Sequence, residues 1–299
     1  MVSRALPLLL ATVALAGCGA ASSASSGGRL NVVAAENSWG SIATQLGGDR
    51  VHVTSIVHKP GADPHEYEPT PADARHMAES QIAIVNGVGY DPWGSKLIDA
   101  NPDGSRVVID AGDVAGVKSG GNPHLWYSPD AVHKMIDAIT AAYKKLDPRH
   151  PGYYETRATR FRTLELARYD SLIAHIRANY AGTPVGASES VFVPLAQSLG
   201  LRLLTPASLL DAVSEGAEPT AGDKTEADRQ ISQRQIRVWV FNSQNATPDV
   251  RRLTSEARAQ GIPVVTITEM LTPDGATFQQ WQVAQLQALE RALAEGTGK

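Results

Sequence analysis

Residues 30–57 read LNVVAAENSWGSIATQLGGDRVHVTSIV, and this stretch sets the fold class. Leu30-Asn31-Val32-Val33-Ala34 and Val51-His52-Val53-Thr54-Ser55-Ile56-Val57 are short β-branched runs, the composition of strands. Between them a helix begins near Asn37-Ser38, carries Ile42 and Leu46, and stops at Gly47-Gly48, a pair suited to a helix C-terminus. Strand, helix and strand in that order predict a βαβ unit and a parallel pair. Ile82-Ala83-Ile84-Val85-Asn86 and Arg106-Val107-Val108-Ile109-Asp110 continue the rhythm. It resumes in the second half with Pro184-Val185-Gly186-Ala187, Leu201-Arg202-Leu203-Leu204, Val238-Trp239-Val240-Phe241-Asn242 and Val264-Val265-Thr266-Ile267-Thr268.

The expected fold is α/β, with two lobes that each hold a mainly parallel sheet flanked by helices. A strand-free segment from about Pro151 to Tyr180 separates the halves. Phe161, Leu164, Leu172, Ile173, Ile176 and Tyr180 keep a three-to-four spacing there, and Arg157, Arg160, Arg162, Glu165, Arg168 and Asp170 take much of the rest. That pattern predicts an amphipathic connecting helix. The boundaries expected are 29–149 for the N-terminal lobe, 150–181 for the linking helix and 182–299 for the C-terminal lobe. Asp130 to Leu146 and about Thr277 to Ala294 read as further helices. Ala212 to Asp228, acidic and poor in large apolar residues, reads as a surface loop running into a short helix.

Ahead of the lobes, Met1-Val2-Ser3-Arg4 and the apolar run Ala5 to Gly17 predict a signal peptide over residues 1–17, too short to span a bilayer as an anchor. It ends Leu15-Ala16-Gly17-Cys18, which resembles a bacterial lipobox. Cys18 is the only cysteine in 299 residues, so no disulfide forms within the chain. The expectation is a lipid on Cys18 at a membrane surface, followed by a Ser/Ala/Gly tether over 18–28. The net charge is −4, with no basic stripe, which points away from nucleic acid. Nothing in the chain demands more than a monomer.

Two turns carry the chemistry. Asp63-Pro64-His65-Glu66-Tyr67-Glu68-Pro69-Thr70-Pro71 holds a histidine between acidic residues in a proline-stiffened turn. Thr70, Pro71 and Asp73 read as N-cap, N1 and N3 of the next helix, with Asp73 completing a capping box. Asn122-Pro123-His124-Leu125-Trp126 repeats the arrangement after Gly120-Gly121, and Ser128-Pro129-Asp130 again starts a helix. Ligands of open α/β sheets gather beyond the carboxyl ends of the strands. By that rule Glu189, after Val185-Gly186-Ala187-Ser188, and Glu269, after Val264 to Thr268, are the partner carboxylates, with Asp274 in reserve. Glu36 also follows a strand end and reads as either a cleft residue or a helix cap. Asp63, Glu66 and Glu68 are each placed to orient His65, and the spacing does not choose among them. His58 precedes the His65 turn, and the remaining histidines have no ligand at a matching offset.

The two X-Pro-His segments together resemble the first and second ligand loops of the cluster A-I metal-specific solute-binding lipoproteins, which serve zinc and manganese ABC importers. The resemblance covers nearly all of the chain after the tether. It implies one long rigid helix between the lobes, Zn²⁺ or Mn²⁺ held in the cleft, and delivery of the ion to a membrane permease from a lipid-anchored position outside the cytoplasmic membrane. It implies His65 and His124 as ligands from the first lobe. The third ligand, a His or Glu in that family, falls on Glu189, ahead of a helix closed by a pair such as Leu199-Gly200. The fourth, usually Asp, falls on Glu269, one methylene longer and a departure from the pattern.

Imidazole nitrogen suits zinc and carboxylate oxygen suits manganese, so this donor set does not choose between them. A zinc hydrolase is the rival from another class, but the chain has no His-Glu-x-x-His, Gly-x-Ser-x-Gly or phosphate-binding Gly-rich loop. A binder of a small organic solute is the other alternative, and it would need Trp39, Trp93 and Trp126 in the cleft.

Overall fold

The computed structural model describes residues 28–59 and 67–299. Residues 1–17, Cys18, most of the tether and the turn with Asp63, His65 and Glu66 lie outside the described residues. The first half contains β1 (Leu30–Glu36), α1 (Asn37–Gly47), β2 (Val51–Val57), α2 (Pro71–Glu79), β3 (Ile82–Val85), α3 (Pro92–Ala100), β4 (Val107–Asp110), α4 (Ala111–Ala115) and α5 (Pro129–Leu146). Two helices follow, α6 (Pro151–Arg160) and α7 (Ala167–Tyr180), joined by a π-helical turn, Phe161–Glu165. The second half contains β5 (Pro184–Ala187), α8 (Val193–Leu199), β6 (Arg202–Leu203), α9 (Ala207–Ser214), α10 (Ala221–Ser232), β7 (Trp239–Asn242), α11 (Pro248–Ala259), β8 (Val264–Ile267) and α12 (Phe278–Thr297).

Each half forms a four-stranded sheet, in the orders β2-β1-β3-β4 and β6-β5-β7-β8. Every pairing is parallel, as the βαβ rhythm requires. The central strand β3 is buried along its whole length and β1 at all but Asn31, which is why both read as apolar runs rather than alternating ones. The two sheets have the same topology, so the order reverses at equivalent places, between β1 and β3 and between β5 and β7. Such reversal points open a crevice at the carboxyl ends of the strands.

Local signals fix the helix starts. The Thr70 hydroxyl accepts from Asp73 N at 3.3 Å while Asp73 Oδ2 accepts from Thr70 N at 2.7 Å, the reciprocal capping box expected from the sequence. Ser128 and Pro129 open α5 in the same manner. α11 starts at Thr247-Pro248, a signal the sequence reading passed over although it repeats Thr70-Pro71. Ala212 to Asp228 differs from expectation: Ala212 to Ser214 finish α9, and α10 already begins at Ala221 behind the Thr220 cap, leaving a loop of only 215–220.

The linking segment is helical but not uniformly α. Leu166 N donates to Phe161 O at 2.8 Å, an i to i−5 bond that admits one extra residue into the turn. Leu164, expected on the buried face, is therefore 66% exposed, and Leu166 takes its place at 0%. From there Tyr169, Leu172, Ile176 and Tyr180 continue the buried stripe. One apolar core runs through the molecule, from Trp39, Ile42 and Tyr143 in the first lobe, past Phe161 and Tyr169, to Val240, Trp281 and Leu289 in the second. No helix of the described residues is long and apolar enough to cross a membrane.

Candidate metal centre

The two crevices face each other, and the strand ends meet there. His124, Glu189 and Glu269 each offer a ligand atom, and these atoms lie within 4.8 Å of one another. His124 comes from the first lobe, on the turn before a 3₁₀ segment at Leu125–Tyr127. Glu189 and Glu269 come from the second, just beyond β5 and β8. His124 is 0% exposed, Glu189 1% and Glu269 8%, so the three groups meet out of water.

The orientation of His124 is set by Asn122. Asn122 Oδ1 accepts from His124 N at 3.0 Å and lies 3.0 Å from His124 Nδ1. An amide oxygen can only accept, so Nδ1 carries the proton and Nε2 presents its lone pair to the site. The Asn122 amide also crosses the cleft, donating from Nδ2 to Ser190 O at 2.8 Å, one residue past Glu189. Tyr90 and Trp126 pack edge-on against the imidazole, with ring centroids 5.8 and 5.5 Å away.

Both carboxylates accept hydrogen bonds from neighbouring side chains. Asn242, at the end of β7, donates from Nδ2 to Glu189 Oε2 at 2.6 Å, and Tyr90 donates its hydroxyl to Glu269 Oε1 at 3.0 Å. Tyr90 is delivered by Gly87-Val88-Gly89, three consecutive residues with positive φ of 71°, 56° and 83°. A β-branched residue in that region is strained, and such strain gathers at functional sites. Glu269 Oε1 lies 3.3 Å from His124 Nε2. A nitrogen lone pair and a carboxylate oxygen attract at that distance only with a proton or a cation to share. Burial, and then the charge of Glu269, push the Glu189 carboxyl up to about 7, against the pull of His124 and Asn242. Burial first, and then Glu269 and Glu36, also raise the Tyr90 hydroxyl far above its usual range.

Of the residues expected from sequence, His124, Glu189 and Glu269 come together, while His65, Asp63 and Glu66 lie outside the described residues. Glu36 is buried and stands at the N-cap of α1 without a side-chain capping hydrogen bond. Asp274 lines a separate cavity of about 560 Å³ with Asn37, Ser41 and Thr277. His58 is exposed and turns Nδ1 back to the carbonyls of Ser55 and Ile56, at 3.1 and 3.0 Å, and Glu68 is exposed. Trp39, Trp93 and Trp126 are all buried in the apolar core. Tyr90, Asn242 and Asn86 were not anticipated. Asn242 ends a strand, so the rule that found Glu189 would have found it too.

The chain matches the family described as zinc-uptake complex component A, periplasmic, over residues 32–292. It is 31% identical to the manganese-binding lipoprotein MntA of Halalkalibacterium halodurans, over 50% of this chain and 51% of that one. It is 30% identical to the iron-binding protein YfeA of Yersinia pestis, over 54% of each chain. The aligned stretch thus spans about half the length of these curated relatives. The structure of the periplasmic zinc binding protein TroA from Treponema pallidum superposes with a TM-score of 0.73 at 18% identity, covering 89% of this chain and 99% of that one, a likeness of fold.

Proposed function

The chain belongs to the family of periplasmic zinc-uptake complex A components, and we propose that it captures Zn²⁺ or Mn²⁺ between its lobes and hands the ion to the membrane permease of an ABC importer. The observation that carries this reading is the convergence of a buried imidazole and two buried carboxylates from opposite lobes to within 4.8 Å. Two buried carboxylates so close repel each other, and a divalent cation offsets both charges. His124 Nε2, Glu189 and Glu269 are three ligands, and His65, between β2 and α2 in the sequence, is the fourth. Four protein ligands leave no position for a reactive water, which makes the site a receptor rather than a catalyst.

The lobes proposed are 29–149 and 182–299, with 150–181 as the link. The chain works outside the cytoplasmic membrane as a monomer, tethered by a lipid on Cys18. Bidentate binding by two Glu side chains would raise the coordination number and suit Mn²⁺, while the intrinsic order of affinities favours Zn²⁺. Competitive titration of metal-stripped residues 29–299 with the two ions measures the outcome. One ion per chain is expected, with affinity reduced about a hundredfold or more in Glu269→Ala, because that change removes a ligand and leaves His124 and Glu189 without their partner. Absence of stoichiometric binding by the unaltered chain would overturn the reading.

A further inference from the structure

β1 ends in Glu36, whose side chain is 1% exposed, and among the described residues no other residue offers an N–H or O–H donor to either of its oxygens. What it faces is the carboxyl group of Asp91, also 1% exposed. Asp91 is already committed, because its Oδ2 accepts from Asn86 N and its Oδ1 from Gly87 N, both at 2.8 Å. Two carboxylates in contact away from water cannot both be ionised. The one that holds two amide donors keeps the charge, and its neighbour takes the proton. A protonated Glu36 gives its O–H to Asp91, which resolves a buried acid otherwise without a donor.

The chain of contacts continues to the metal centre. Asn86, whose backbone Asp91 holds, accepts from Trp39 Nε1 at 3.1 Å and donates from Nδ2 to Pro123 O at 2.7 Å. Pro123 precedes His124, and Asn122 holds the imidazole from the other side. Among the described residues, the other groups whose charge bears on this corner are Glu269 and Tyr90, neither of them a cation. An ionised Glu36 would add a further negative charge, beside that of Asp91, to a site whose two carboxylates already match a divalent ion.

We propose that Glu36 is a positioning residue of the metal centre, a buried carboxylic acid that stays protonated and, through Asp91 and Asn86, holds the turn that presents His124. The proposal rests on reading His124 as a ligand, so its test includes arms that need no metal. Glu36→Gln keeps a donor facing Asp91, and Glu36→Ala removes it. In the infrared spectrum of the metal-free chain near neutral pH, recorded in a Glu189→Gln background because the Glu189 carboxyl also holds a proton there, the carbonyl stretch of a protonated carboxylic acid should be lost in Glu36→Gln. The His124 imidazole signals in NMR should stay in place in Glu36→Gln and move in Glu36→Ala. In Zn²⁺ titrations, Glu36→Gln should bind within about twofold of the unaltered chain and Glu36→Ala about tenfold or more weakly. An infrared band that persists in Glu36→Gln, His124 signals and affinity unmoved in Glu36→Ala, or a tenfold loss in Glu36→Gln would each overturn it. Failure of the unaltered chain to bind Zn²⁺ would instead sink the metal reading, and the infrared and NMR arms would still decide the role of Glu36.

Discussion

Glu189 enters the site with Asn242 as its hydrogen-bond donor and a second carboxylate beside it, and this governs how the metal-free protein responds to pH. Its carboxyl, raised from 4.5 to about 7 by burial and by Glu269, keeps a proton in the folded state that the unfolded chain has already released. The stability it contributes is therefore present below about pH 4.5 and is lost as pH rises to about 7. Glu189→Gln should make the metal-free chain more stable at about pH 8, by on the order of 3 kcal/mol, with the difference vanishing near pH 4. Urea melts at the two pH values measure this, and equal stability at both would refute it. The same proton competes with the ion, so affinity should also fall below neutrality. At this scale His124, Glu189 and Glu269, the three side chains that come together, were legible, because a proline-stiffened turn and a strand end are local signals. Tyr90 was not, since it gains its role from a partner on a distant element, whereas Asn242 stands at a strand end within reach of the same rule.

The linking segment carries the clearest lesson about elements. Phe161 and Leu166 are successive members of the buried stripe although five residues apart, because the π turn absorbs one residue and turns Leu164 outward. Periodicity reads a helix of constant pitch, so it placed Leu164 inside and passed over Leu166. Leu166→Ala should cost about 2–5 kcal/mol in urea melts, the range for a fully buried leucine. Leu164→Lys should stay within about 0.5 kcal/mol. Equal costs would mean that the turn is ordinary α-helix. The strands and the helices opened by Thr70-Pro71 and Ser128-Pro129 were read correctly for the opposite reason: β-branched runs and Ser/Thr-Pro starts are decided within a few residues, before tertiary contacts intervene. β6 is the shortest strand, only Arg202–Leu203, although Leu201 to Leu204 reads as a full one.

The whole molecule is more closely joined than two lobes on a linker would suggest. Far from the metal centre, Gln45 on α1 and Gln279 on α12 exchange amide hydrogen bonds of 3.1 and 2.7 Å, and Phe278 N donates to Ser41 Oγ at 3.0 Å. Nearer the site, Tyr127 donates to Thr268 O at 2.7 Å and Asn37 Oδ1 accepts from Leu271 N at 3.2 Å. With the apolar core continuous through α7 and α12, the lobes should unfold together in one calorimetric transition whose calorimetric and van't Hoff enthalpies agree. Two resolved transitions would show instead that the lobes are independent. The central claim is that one ion bridges them, and anomalous diffraction from crystals grown with Zn²⁺ tests it most directly. A single strong peak within bonding distance of His124 Nε2, Glu189, Glu269 and His65 is the predicted result. A peak bonded to residues of one lobe alone, or none between these four side chains, would contradict it.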